Sequence, residues 1–368
     1  MIGGSETPPT TDMPDMTDIA DLDTPAVTID LDTLAANIAR VQRLIDDRGI
    51  GNRPHIKTHK LPDIARMQLA AGAIGITCQK LDEAAAFIAA GIDGDILLTF
   101  NILGRHKTDR LMELSARARR LAVVADNETV LRGLSEAGVR HGRDVPLLIE
   151  CDTGFGRNGA GTVDAVRDLA RLAASLPRIR LEGLMTFPSN GPNALPFMSA
   201  TIDALSRDGI PVPVISGGGS PALADLAAFP IATEHRAGTY VYNDGMMVRA
   251  GIATWDDCAM RIRATVVSTP TGDRAILDSG SKLLTRERYG LAAFGHIVEY
   301  PDAVVANLSE EHGIVDTSRS AAKPKVGEVL TVIPNHCCVV SNMVDEVYGV
   351  RNGKVEKVWR IAARGGVH

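Results

Sequence analysis

Residues 146–150 read PLLIE. They are followed by the Gly-rich DTGFGRNG (152–159), then by VDAVRDLARLAASL (163–176) and RLEGLM (180–185). The first and last segments are short aliphatic runs of strand length. The stretch between them repeats its apolar residues at helical spacing. A strand, a helix and a second strand in this order make one βαβ unit, whose strands are parallel. The same alternation runs outward in both directions. Strand-like segments recur at 52–56 (NRPHI), 74–78 (IGITC), 95–99 (DILLT), 121–125 (LAVVA), 212–216 (VPVIS) and 233–236 (TEHR), with helical stretches such as DEAAAFIAAG (82–91) among them. Eight such units within residues 49–255 predict an α/β fold, a closed parallel (β/α)8 barrel of the TIM type. An open doubly wound sheet is the alternative. It would show a Gly-rich dinucleotide turn after its first strand, and RPHIKTHK (53–60) is not one.

Upstream, TPAVTIDLDTLAANIARVQRLI (24–45) reads as a strand followed by a helix capped near Asp32. Beyond residue 256 the texture changes. RIRATVVSTPTGDRAILDSGS (261–281), KVGEVLTVIP (325–334) and EVYGVRNGKVEKVWRIAARG (346–365) read as strands joined by Gly/Asn turns. The expected organisation is a disordered acidic tail over 1–22 and a strand and helix over 23–48 that join the β domain to the barrel. The barrel follows over 49–255, then a C-terminal all-β domain over 256–368 carrying a metal site. The 368 residues are 45% apolar and 23% charged, with a net charge of −6. No basic run suggests a nucleic-acid partner. No apolar stretch approaches the ~20 residues of a membrane span. The N-terminus lacks the basic start and apolar core of a secretion signal. Five cysteines, an odd number, suit reduced thiols in a cytoplasmic protein.

In such a barrel the chemistry gathers at the C-terminal ends of the strands, with phosphate often held after strands seven and eight. Lys57, beside His55, Thr58, His59 and Lys60, follows strand one. Arg157 lies in the Gly-rich segment after strand five. Ser216-Gly217-Gly218-Gly219-Ser220 follows strand seven and leads into PALADLAAF, which reads as helical. Arg236-Ala237-Gly238-Thr239-Tyr240 follows strand eight. A glycine run before a helix exposes backbone N–H groups to a phosphate, although it also serves as a plain turn. A lysine just past an apolar strand is a surface charge or a Schiff-base amine. An arginine in a flexible loop is a solvated charge, or a donor to a cofactor ring or a substrate carboxylate. The three together fit pyridoxal phosphate (PLP) better than another cofactor. In PNHCC (334–338), His336 and Cys338 share one side if the segment is a strand. Imidazole and thiolate suit zinc, but buried free cysteines are common and the pattern is short.

With these motifs in place, the chain resembles the D-threonine aldolase and D-serine dehydratase family of alanine-racemase-like, fold-type III PLP enzymes. The resemblance runs from TPAVTIDLD to the C-terminal strands. It rests on RPHIKTHK, DTGFGRNG, SGGGS, HRAGTYVYND (235–244), DSGSK (278–282) and PNHCC. It implies that Lys57 binds the cofactor covalently, that Arg157 contacts its ring and that Gln79 lines the pocket. Ser216, Gly218, Gly219, Gly238, Thr239 and Tyr240 would bind the cofactor too, mostly at its phosphate. His336 and Cys338 would hold a divalent metal, zinc first, with manganese or magnesium as alternatives. Lys57 and His336 are the implied catalytic residues. A homodimer acting on a small D-amino acid is expected.

Two lyase reactions are open to such a site. Cleavage of Cα–Cβ in a D-3-hydroxy-α-amino acid gives an aldehyde and glycine. Loss of the β-hydroxyl from D-serine or D-3-hydroxyaspartate gives a keto acid and ammonia. Cys338 leans toward the second. GLMTFPSN (183–190) and VVSNMVDEV (339–347) look more like proteins grouped with D-threonine aldolases, so the aldolase reading stands first. Phe187 departs from the tyrosine many relatives place there. Racemase is a third option, with Tyr289 or Tyr300 as a second base. A non-catalytic PLP carrier is a fourth, disfavoured by the β domain and by PNHCC.

Overall fold

The computed structural model describes residues 17–368, which divide into two compact units. One comprises residues 40–57, 62–238 and 366–368. The other comprises 17–39, 58–61 and 239–365.

The first unit is built on eight parallel strands in the order of the chain: Gly51–Asn52, Ile76–Cys78, Asp95–Asn101, Arg120–Ala125, Val145–Cys151, Ile179–Thr186, Val214–Gly218 and Glu234–Arg236. The last strand pairs with the first. A parallel bridge between His55 and Thr77, with Thr77 N–H donating to Pro54 O at 2.8 Å, joins the first segment to the second and closes the ring. Each predicted barrel strand is present. The first is shorter than NRPHI, because Pro54 has no N–H to give and the chain turns into a 3-10 turn at Ile56–Thr58.

Alternation along the strands separates two layers. Ile96, Leu98, Leu121, Val123, Leu147, Ile149 and Leu184 pack on the surrounding helices, including Leu81–Ala89, Arg105–Ser115, Glu128–His141 and Val163–Ser175. Leu97, Ala122, Val124, Leu148 and Met185 form a separate cluster, with Val214 against it, on the opposite side of the strands and inside the barrel. A partly buried ionic cluster joins several strands. Arg53 donates from Nε to Glu234 at 2.8 Å and from Nη1 to Asp95 at 2.8 Å. Arg120 bonds Asp95 at 2.5 Å and also pairs with Glu182. Paired burial is what makes these charges tolerable.

The stretch after strand seven differs from expectation. Ser216, Gly217 and Gly218 belong to the strand itself. PALADLAAF forms no α-helix but two 3-10 turns, Ser220–Ala224 and Leu226–Ala228, broken at Asp225. No helix dipole is therefore available there, and any anion must be met by the loop backbone.

The second unit is mostly strand. Ala26–Asp30, the strand expected near 25–30, pairs antiparallel with Met260–Thr271 and parallel with Glu346–Arg351. Val329–Ile333 pairs with Met260–Thr271, and Glu346–Arg351 pairs with Lys354–Arg360. The helix Leu31–Asp46 begins one residue earlier than Asp32, and Asp30 caps it by accepting Thr33 N–H at 2.8 Å. Residues 1–16 of the expected tail lie outside the described residues. Residues 17–22 are held in place: Asp18 bridges Lys354, Val355 N–H donates to Thr17 O at 2.9 Å and Ile19 N–H donates to Gly353 O at 2.9 Å. The unit is not purely β, since Ser281–Leu284 and Cys337–Met343 are short helices. PNHCC is therefore not a strand. His336 caps a helix whose second residue is Cys338. Among the described residues no helix is long and apolar enough to cross a membrane.

Candidate active site

Lys57 sits in the 3-10 turn that ends the first strand segment, at the C-terminal rim. Its backbone N–H points to His55 Nδ1 at 3.5 Å. His55 Nε2 lies 3.1 Å from Gln79 Oε1, and Gln79 Nε2 donates to Thr99 O at 2.8 Å. Since Gln79 presents its carbonyl oxygen, the ring proton sits on Nε2 and Nδ1 is left as the acceptor. Burial first, and the Lys57 charge second, push His55 well below the usual histidine value, so the ring is neutral. Gln79 thus holds the histidine behind Lys57.

Across the barrel, the seventh and eighth strands form a second polar set. Ser216 Oγ donates to Glu234 Oε1 at 2.5 Å and accepts from Arg236 Nη1 at 2.5 Å. Arg236 Nη2 donates to Thr186 O at 2.9 Å. The Ser216 hydroxyl, expected at the cofactor, is taken up within this network. Gly218 lies over the guanidinium: a Cβ there would stand 2.8 Å from Arg236 Nη2. Gly219 has φ +110°, and a Cβ there would stand 3.3 Å from the Phe187 ring. Gly219 holds a backbone conformation that favours glycine, and a side chain at Gly218 would displace Arg236, so the two present bare backbone. Gly238 N–H donates to Ser220 Oγ at 3.2 Å. Burial, outweighing the nearby Glu234 and Glu150, brings Arg236 down to about 10, still cationic at neutral pH. The chemistry of this set fits the phosphate and ring of PLP: glycine backbone, a buried cation and a lysine amine on one barrel rim.

Arg157 is half exposed. Its Nε donates to Asn158 Oδ1 at 3.0 Å, its guanidinium lies 4.7 Å from the Phe187 ring centroid, and its Nη2 lies 3.8 Å from Glu150.

In the other unit, His336 Nδ1 lies 3.1 Å from Asp244 Oδ2. Asp244 is fully buried and also accepts the N–H groups of Cys337 at 3.0 Å and Met247 at 3.1 Å. This carboxylate orients the ring and leaves Nε2 for another partner, as behind many metal-bound histidines. Cys338 Sγ is 3.3 Å from the Thr58 hydroxyl and 3.9 Å from that of Thr239. Burial opposes a charged His336, but the Cys338 sulfur and Asp244 outweigh it and raise the ring to about 10. The hydrogen bond from Cys337 leads in holding Cys338 well below the usual thiol range; burial opposes it, and His336 and Thr58 add to it. Once a metal displaces the extra ring proton, an imidazole and a thiolate side by side are a borderline-soft donor pair that suits zinc. Among the described residues no cluster of three His, Cys, Asp or Glu side chains is set for a metal. Tyr289 packs its ring 4.9 Å from that of His336. Tyr300 bonds Glu328 at 2.8 Å, and Tyr240 is buried in the turn Thr239–Val241.

The sequence alone assigns no site role to Asp244, Glu234 or Glu150, and places Arg236 in a rim cluster without a role of its own. Asp244 closes the HRAGTYVYND motif and Arg236 opens the RAGTY run, so a signal was present for both. The two glutamates had none beyond lying on strands.

A parallel barrel with a lysine past its first strand and a glycine cradle at its seventh defines an alanine-racemase-like PLP enzyme. The profile of the alanine racemase N-terminal domain matches residues 29–245, and that of a serine dehydratase domain matches 259–350. The chain belongs to the D-threonine aldolase and D-serine dehydratase family of PLP-dependent lyases. It is 35% identical to a D-threonine aldolase of Arthrobacter sp over 94% of each chain. The solved D-threonine aldolase from Filomicrobium marinum superposes with a TM-score of 0.89 at 29% identity, covering 97% of this chain and all of that one. D-threo-3-hydroxyaspartate dehydratase from Delftia sp. HT23 gives 0.84 at 30% identity, covering 93% and 98%. Solved variants of a dehydratase of that name replace a histidine, or a cysteine two positions later, with alanine, and the cysteine variant is in a metal-free form.

Proposed function

We propose that the chain is a PLP- and divalent-metal-dependent lyase that cleaves D-3-hydroxy-α-amino acids of the D-threonine type to glycine and an aldehyde. The observation that carries the metal-dependent lyase reading is the pairing of His336 and Cys338, with a buried carboxylate fixing the ring, while the likeness to a D-threonine aldolase over nearly the whole chain favours cleavage over dehydration. Their two-residue spacing equals that of the histidine and cysteine replaced in the dehydratase variants. When bound, the cofactor ring supplies an electron sink for the bond broken at Cα. His336 and Cys338 would hold the metal, which supplies Lewis acidity toward a β-hydroxyl.

The chain's own residues do the rest. Lys57 Nζ carries the cofactor and can accept or return a proton at the substrate Cα. Neutral His55, locked by Gln79, fixes the backbone at Lys57. Gly218 and Gly219 let the phosphate approach the main chain, with Gly238, Thr239 and Tyr240 in the next loop. Arg157 contacts the ring. Five free cysteines agree with a cytoplasmic setting, and family habit supports a homodimer.

The dehydratase reading keeps one specific support, the thiolate ligand Cys338. The deciding experiment incubates the enzyme with D-threonine, D-serine and D-3-hydroxyaspartate and measures glycine and keto acid separately. Glycine with aldehyde, abolished by a chelator and restored by zinc or manganese, is expected. Keto acid and ammonia alone would establish dehydration instead, and appearance of the L-enantiomer would establish racemisation.

A further inference from the structure

Glu150 is a buried charge to which the reading above gives no task. It lies on the strand Val145–Cys151, on the same side as Leu148, and so faces the barrel interior; it is 1% exposed. Both its oxygens address Arg157. Oε1 lies 3.8 Å from Arg157 Nη2. Oε2 accepts from Asn158 Nδ2 at 2.7 Å, and Asn158 Oδ1 in turn accepts from Arg157 Nε at 3.0 Å. One carboxylate thus faces the guanidinium at ion-pair distance and is linked to it by hydrogen bonds through the neighbouring amide. The loop that carries Arg157 is itself pinned. Asp152 accepts the N–H groups of Gly154, Phe155 and Gly156, and Gly159 N–H donates to Asp126 at 2.8 Å. A carboxylate at a strand end could reach water at little expense, whereas burying it demands a charged partner. Here the arginine assigned to the cofactor is one such partner, with Arg236 the other.

We infer that Glu150 is a positioning residue that holds Arg157 in the orientation in which it meets the cofactor. This rests on the reading of Arg157 as a cofactor contact. The charged groups facing Glu150 are Arg157, Arg236 and Asp126, with Asn158 as its hydrogen-bond donor. Burial outweighs the two arginines and raises Glu150 to about 7. The grip on Arg157 is therefore full above that pH and weakens below it.

The test is a double-mutant cycle on the cofactor dissociation constant, read from the absorbance of the cofactor as it is removed and titrated back. Glu150→Gln keeps the shape and removes the charge. Glu150→Gln and Arg157→Ala should each weaken binding about tenfold, and the double variant should be no weaker than Arg157→Ala alone. Asn158→Ala, the second break in the relay, should weaken binding in the wild-type background and have little effect beside Glu150→Gln. Between about pH 8 and about pH 6, wild-type affinity should fall more steeply than that of Glu150→Gln. Additive losses, or wild-type affinity and an unchanged pH profile in Glu150→Gln, would overturn the inference. Wild-type affinity in Arg157→Ala would remove the underlying reading of that arginine, and the inference with it.

Discussion

Gly218→Ala is a one-methyl test of the cradle. The new Cβ would stand 2.8 Å from Arg236 Nη2 and 3.1 Å from its Cζ, where ordinary contact begins at 3.4 Å. The guanidinium would have to retreat by about 0.6 Å. A surface arginine would swing away freely, but this one is pinned by Ser216 Oγ at 2.5 Å and Thr186 O at 2.9 Å and is fully buried. Retreat stretches both bonds, and hydrogen bonds to a charged group contribute about 1.5–3 kcal/mol each. Overpacking a rigid site costs about 1–3 kcal/mol. A loss of about 2 kcal/mol in stability is expected, seen as a melting temperature lower by several degrees in the cofactor-free protein. Cofactor affinity should fall by about tenfold, because displacing Arg236 disturbs the backbone on which the phosphate would rest. Gly94→Ala, with nothing within 4 Å of its added Cβ, is the control and should leave both readouts unchanged. A Gly218→Ala protein that melts and binds cofactor as the wild type does would show that Arg236 is free to move and that no phosphate lies on this backbone.

Asp244→Asn should lower metal affinity by about 10–100-fold, since the ring it orients loses its carboxylate partner; metal content after dialysis at a series of free zinc concentrations measures this, and unchanged affinity would exclude Asp244 from the metal site. Glu150 gives a stability test with a defined sign. Its folded-state pKa is raised from 4.5 to about 7, so between these values the folded state keeps a proton that the unfolded state releases. Stability from this group therefore falls as pH rises through that window and levels off above it. The span corresponds to about 3 kcal/mol at most. Glu150→Gln should remove this slope and make the cofactor-free protein more stable near pH 8, as followed by urea unfolding. Parallel wild-type and variant curves from pH 4.5 to 8 would contradict the burial argument.

The barrel was legible because its strands are short aliphatic runs with nothing else they could form. Ile96–Leu98, Leu121–Val124 and Leu147–Ile149 bury both faces, as parallel strands must. Local chemistry was harder to read. A glycine run suggests a loop, yet Ser216–Gly218 is strand, because Arg236 crosses beneath it and only a missing side chain leaves room. PNHCC follows a strand and looks like its continuation, but Pro334 supplies no N–H to the ladder and Asp244 captures Cys337 N–H, so the chain turns into a helix. His336 and Cys338 meet through a helix cap and not through strand alternation. Glu150 and Glu234 were invisible for another reason. A buried carboxylate on a strand is written with the same letter as a solvated one, and only the arginines that face it in space reveal the difference.

The central claim is that Lys57 is the amine that binds the cofactor. Borohydride converts a reversible lysine–aldehyde link into a stable amine, and digestion followed by mass spectrometry of the reduced holoenzyme then locates the label. The expected result is a phosphopyridoxyl group on Lys57 within RPHIKTHK. A label on Lys60 or another lysine, or a holoenzyme that takes up none, would contradict the account.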